Sequence, residues 1–309
     1  MPLTPYSNQP DFPVINPSLN PLILNTPMGM ALDLHNNLWL ADSGNNRVII
    51  FDNSYSVKYS FSELNDKQGK VSFNMPFRIA CYPQSGDCPQ SQYLMYITDM
   101  ANDRVIAVTY PDNPSTAYDS NSVECSFTFG RFGTDKLEFN GVNGIAFLKN
   151  GHRYCVVADE FASEQTEGEV KIIDIEGKKI KEELSFNKVE NYDFKWPQGI
   201  AVDENDYIYI CNTGKGQIIR CKFNSDERGH NPSVTLQKFS DTIPVIQLTN
   251  PATGEPGTPR DICVTNGKIY IADNSLNKLY IFNMDGTKFY ELSSYLVAGA
   301  TKLIANIMG

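Results

Sequence analysis

Five stretches of this chain share one grammar, and that grammar limits the fold more than any other feature. They begin at Pro27 (PMGMALDLHNNLWLADSGNNRVIIFD), at Pro76 (PFRIACYP, resuming as YLMYITDMANDRVIAV) and at Val142 (VNGIAFLKNGHRYCVVADE, ending in GEVKIIDIEG). The last two begin at Pro197 (PQGIAVDENDYIYICNTGKGQIIRC) and Pro259 (PRDICVTNGKIYIADNSLNKLYIFNMDG). Each opens with a short apolar strand, turns through Asn, Gly and Asp, and continues in a second alternating strand that ends in Asp or Asn. A tight polar turn and a third alternating strand follow. Period-two alternation bounded by such turns is the signal of antiparallel hairpins.

Fourth strands are expected from YSVKYSF at Tyr55, CSFTF at Cys125, KEELSF at Lys181 and KFYELS at Lys288. The residue closing the second strand is Asp42, Asp99, Asp159, Asn212 and Asp273, at spacings of 57, 60, 53 and 61 residues. One four-stranded antiparallel sheet per repeat is the pattern of a β-propeller. A parallel α/β sheet needs crossover helices, and no long segment of helical period lies between the strands. The fold expected is therefore all-β, a β-propeller occupying 21–309.

The segment Asp42-Ser43-Gly44-Asn45-Asn46-Arg47-Val48 resembles the turn of the NHL repeat almost letter for letter, and PxGIAVD openings strengthen the likeness. The later copies drift: the fourth has Asn212 for Asp, and the third replaces its turn with the acidic loop EFASEQTEGE. NHL-like propellers usually have six blades, so the resemblance implies a sixth, built from the terminal segments FPVIN, PLILN and YLVAGATKLIANIMG. Five blades is the alternative, with residues 1–20 a proline-rich extended arm and 295–309 a closing or docking tail.

The 309 residues carry a net charge of −10, from 26 basic and 36 acidic side chains, which disfavours a phosphate-tracking nucleic-acid binder. No apolar run approaches the roughly 20 residues that span a bilayer, so no membrane partner is expected. No basic and apolar leader opens the chain, and the setting expected is the cytoplasm or a particle assembled inside a cell, such as a virion. The 29 asparagines form no glycosylation sequon, which fits that setting. Its reducing chemistry leaves the seven cysteines without need of a disulfide framework. Cys155, Cys211 and Cys263 read as small buried hydrophobes, while Cys81 and Cys88 could close a loop under oxidation.

Chemistry has few candidates. The three histidines, His35, His152 and His230, lie in turns and loops and lack metal-ligand spacing, so they read as solvated turn residues. No nucleophile elbow, phosphate loop or dinucleotide fingerprint occurs. Asp42, Asp99, Asp159 and Asp273 recur because an Asp that opens a tight turn accepts backbone N–H bonds, with Arg47 and Arg104 placed to pair with the first two.

The repeat breaks its own rule at the start of the first strand. The residue after the opening position is Met28, Phe77, Asn143, Gln198 and Arg260, and the next is Gly29, Arg78, Gly144, Gly199 and Asp261. Arg78, Asn143, Gln198, Arg260 and Asp261, with Glu160 of the acidic loop, are the candidate ligand- or partner-binding residues. A charged rim with salt bridges between blades is the plainer alternative.

The absence of a catalytic constellation, with the two non-repeat ends, favours a non-enzymatic interaction or assembly module with a protein partner and no cofactor. The alternative comes from the resemblance. Related lactonase propellers hold calcium with Glu, Asp and Asn oxygens at the channel, chemistry that suits a hard cation. The zinc-binding histidines of related amidating lyases have no counterpart here.

Overall fold

The computed structural model describes residues 23–82, 93–135, 137–149, 154–161, 167–176, 179–224 and 233–293. Each repeat forms one antiparallel sheet whose strands pair in chain order. Blade 1 runs through Pro27–Leu32, Leu38–Asp42, Arg47–Phe51 and Val57–Phe61, and blade 2 through Pro76–Cys81, Leu94–Asp99, Arg104–Thr109 and Glu124–Phe129. Blade 3 comprises Val142–Phe147, Tyr154–Asp159, Glu169–Glu176 and Lys179–Phe186. Blade 4 comprises Pro197–Val202, Tyr207–Asn212, Gln217–Asn224 and Ser233–Leu236, with Ile246–Gln247 added along its third strand. Blade 5 comprises Pro259–Thr265, Lys268–Asp273, Lys278–Asn283 and Lys288–Ser293. All four expected fourth strands are present.

The propeller architecture is as the sequence implies, and the described residues form five blades, the alternative count. Residues 1–22 and 294–309, which would supply a sixth blade, the arm and the tail, lie outside the described residues. The same holds for Cys88, His152 and His230, and for residues 162–166 of the acidic loop.

Alternating apolar side chains on both faces of each sheet fill the seams between blades, because a propeller blade is covered on both sides. Trp39, Ile50, Met95 and Ile106 sit between blades 1 and 2; Tyr96, Phe139, Val157 and Ile173 between blades 2 and 3. Val156, Ile172, Ile208 and Ile219 join blades 3 and 4, and Tyr209, Ile218, Ile269 and Ile271 join blades 4 and 5. A separate small cluster of Leu40, Ile49 and Phe51 lies on the other face of blade 1. Cys155, Cys211 and Cys263 are buried thiols, as expected, and burial pushes each thiol up.

The first strand of every blade faces a central channel of about 320 Å3, lined among others by Ala31, Ile79, Ile145, Ala201 and Ile262. Glycines set how closely these inner strands approach. A Cβ at Gly29 would overlap the carbonyl of Phe77, one at Gly144 that of Gln198, and one at Gly199 would press on Asp261 and Arg260.

Candidate functional site at the channel mouth

Every inner strand begins with the same local irregularity. Its opening residue pairs with the Asp or Asn that closes the second strand: Pro27 with Asp42, Pro76 with Asp99, Val142 with Asp159, Pro197 with Asn212, Pro259 with Asp273. The register then shifts before the next paired residue in all five. A bulge leaves the extra residue off the ladder and re-aims its side chain. The positions singled out by the repeat's exceptions, 77–78, 143–144, 198–199 and 260, are the bulged ones.

Arg78 and Asp261 take the glycine position of their repeats and meet each other. Arg78 Nη1 lies 2.6 Å from Asp261 Oδ2, with both side chains about nine-tenths buried, and Nη2 donates to the carbonyl of Arg260 at 2.7 Å. Blade 2 is thereby tied to blade 5 at the end of the channel. For this pair the interblade salt bridge is what the structure builds, and Arg78 is not a free rim residue.

Asn143, Glu160 and Gln198 form the second group. Glu160 follows the last residue of blade 3's second strand, and its two oxygens accept from Asn143 Nδ2 at 3.0 Å and Gln198 Nε2 at 2.7 Å. All three side chains are buried. Burial raises the Glu160 carboxyl above its ordinary range, against the two amide donors and the nearby positive charge of Arg260. Arg260 itself makes no hydrogen bond or ion pair through its guanidinium among the described residues, and its Nε is buried without an acceptor. Arg78 Nε and Asn143 Oδ1 are likewise buried and unpartnered.

The recurring aspartates serve turns, as expected. Asp42 accepts from the Asn25 N–H at 2.7 Å, Asn45 Nδ2 at 2.8 Å and Arg47 Nε at 2.7 Å. Asp99 repeats the set with Asn74, Asn102 and Arg104. The third repeat has no such arginine: Asp159 Oδ1 accepts from the Asn140 N–H at 2.8 Å, Oδ2 is unpartnered, and burial pushes its pKa up to about 7. In the fifth, Lys278 stands at the arginine position but bonds Glu291 at 3.0 Å instead.

His35 corrects the expectation of a solvated turn. It is half-buried, with Nε2 3.0 Å from the Pro111 carbonyl and its ring stacked on Tyr93 at 5.2 Å.

Sequence reasoning missed the apolar rim. Met75, Phe132, Phe161 and Trp196 are exposed on the loops that lead into or flank the inner strands. Met75 and Trp196 immediately precede the opening proline in a left-handed conformation, φ 56° and 51°, which costs an L-residue about 1 kcal/mol. The available signal was the position itself, occupied by Thr in the first and fifth repeats.

Among the described residues no three His, Cys, Asp or Glu side chains converge as a metal site, and no helix is long and apolar enough to cross a membrane.

No protein-family model matches the sequence, and no curated protein sequence matches it. Solved β-propeller structures do match by fold. A nidogen/laminin complex structure aligns with TM-score 0.52 and 9% identity, covering 88% of this chain and 81% of that one. A gluconolactonase from Xanthomonas campestris gives 0.53 at 13% identity, covering 85% and 74%. A virginiamycin B lyase from Staphylococcus aureus, solved with quinupristin, gives 0.51 at 14%, covering 88% and 71%. At such identities the likeness is one of fold alone.

Proposed function

We propose that this chain is an NHL-like propeller acting as a non-enzymatic interaction or assembly module, with the channel mouth as its binding surface and no resident cofactor. The observation that carries this reading is how the mouth's acidic side chains are used. Asp261 is held by Arg78, and both oxygens of Glu160 accept from amides of blades 3 and 4, so both carboxylates are spent on joining blades. What remains at the rim is an unpaired guanidinium and exposed apolar side chains, the materials of a docking surface. The nidogen/laminin structure is a propeller in a protein complex, which keeps company with this reading.

One observation favours a second reading, a calcium-assisted hydrolase or lactonase. Glu160, Asn143 and Gln198 bring oxygen-bearing side chains together, and Asn143 Oδ1 has no partner. They fit calcium only if both amides turn their oxygens inward in place of the donors now facing Glu160. Native mass spectrometry of protein from its natural source, before and after chelation, separates the two. A metal-independent complex supports the interaction module; a monomer that loses calcium to chelator supports the hydrolase.

A further inference from the structure

The channel mouth holds two arginines whose Nε–H groups are buried without an acceptor. Arg78 spends Nη1 on Asp261 and Nη2 on the Arg260 carbonyl, yet its Nε is buried without an acceptor. Arg260, whose carbonyl that Nη2 grips, carries a second buried, unpartnered Nε. Buried polar groups are ordinarily paired, and an unpaired donor on a charged group is more costly than a neutral one. The local carboxylates do not bond these Nε–H groups: Asp261 is bound to Nη1, and Glu160, though it lies near the Arg260 charge, accepts from two amides. An acceptor from outside, planar and negative, would suit a guanidinium edge.

Beside these donors stands an apolar shelf. Phe161 follows Glu160, and its ring lies against Gly141. Trp196 precedes Pro197 and Gln198, and its N–H donates to the Glu167 carbonyl at 2.6 Å. Pro197 in turn packs over Gly168 beside the Glu160 carbonyl, so Phe161, Glu160, Pro197 and Trp196 form one continuous stretch of rim. Phe161 and Trp196 remain 45% and 43% exposed. Gly199, on the strand Pro197–Val202 that Trp196 precedes, lies against the backbone of Arg260 and Asp261, so the shelf adjoins the strand that carries Arg260.

We infer that the mouth docks an acidic peptide segment of a protein partner, seating one carboxylate on the half-buried Arg260 guanidinium and laying an apolar side chain across Phe161 and Trp196. The inference rests on the interaction reading and names its partner's chemistry. Charge complementarity chooses the occupant: an apolar segment without a carboxylate leaves the Arg260 guanidinium unpaired, and a basic one opposes it.

The test uses fluorescein-labelled Leu-Phe-Asp and Leu-Phe-Asn peptides, capped at both ends, with anisotropy read on the full chain. Acrylamide quenching locates the bound peptide, because Trp196 is exposed while the other tryptophan, Trp39, is buried. The Asp peptide should bind about tenfold or more tightly than the Asn peptide, the value of a charge-assisted bond, and should protect Trp196 from quenching. Arg260→Ala should bring the Asp peptide down to the Asn peptide's affinity, with Arg260→Lys between them. Lys268→Ala, at the start of blade 5's second strand and so at the end opposite Asp273, should change nothing. Trp196→Gly removes the shelf and also relieves the left-handed backbone, so its weaker binding is separable from unfolding.

Equal affinity for the two peptides, or Asp-peptide binding indifferent to Arg260→Ala, would overturn the inference. So would displacement of the peptide by acetate at equal concentration, which would assign the site to free small carboxylates. A natural, metal-independent complex alongside any of these results leaves the interaction reading standing while this inference falls. Calcium on a monomer removes the reading itself.

Discussion

Arg78 Nη1 and Asp261 Oδ2 lie 2.6 Å apart, although the residues come from the second and fifth repeats of the chain. The pair holds two inner strands that are not neighbours in sequence order, at the point where the bulges re-aim the side chains. Removing one partner strands the other charge in a site with little water. Arg78→Ala should therefore cost about 3–5 kcal/mol, whereas replacing both by apolar residues of similar size should be nearly neutral. Urea denaturation of the single and double variants measures both, and a small loss for Arg78→Ala would show that the bridge does not hold the ring.

The turn aspartates should behave as structural residues too. Asp42 and Asp99 each serve a backbone N–H, an asparagine amide and an arginine. Asp42→Ala or Asp99→Ala leaves those donors without an acceptor and should destabilise by about 3 kcal/mol. Peptide binding at the mouth, measured under folding conditions, should be unchanged.

Asp159 makes stability depend on pH. Its carboxyl, near 3.8 when unfolded, is pushed up to about 7 by burial. The native state thus holds a proton that the unfolded chain has released between about pH 4 and pH 7. That contribution is fully present below pH 4 and lost as pH rises through 7. Asp159→Asn keeps the acceptor for the Asn140 N–H and imitates the fourth repeat, where Asn212 stands. The variant should gain on the order of 4 kcal/mol over wild type at pH 8 and little at pH 4. Denaturation midpoints at the two pH values give the answer; a pH-independent difference would contradict the assignment.

Glycine at the inner-strand position is a packing requirement. Gly144→Ala drives a methyl group into the Gln198 carbonyl and should cost about 1–3 kcal/mol. Gly254, which has open space around it but a φ of +75°, should lose only about 1 kcal/mol on the same substitution. Thermal unfolding of the two variants ranks them.

The fold was legible because a propeller writes its blade into the sequence five times, and local alternation with turn chemistry suffices to recognise each copy. Blade number was not, because the ends of the chain do not carry the repeat. Arg78 and Asp261 were visible as exceptions where other repeats carry glycine. Their pairing was not, since nothing local couples residues on opposite sides of a ring. Glu160 stood out only as one acid among several in its loop; its clamp by Asn143 and Gln198 depends on how tightly blades 3 and 4 pack. Trp196 and Phe161 resembled ordinary strand-flanking hydrophobes, and only their exposure marks them.

The most direct test of the account is hydrogen–deuterium exchange of the chain alone and in its natural complex. Protection should concentrate at 160–161, 196–199 and 259–262 and be reduced in Arg260→Ala. Protection confined to residues 1–22 or to the outer strands, with the mouth exchanging as in the free chain, would contradict it.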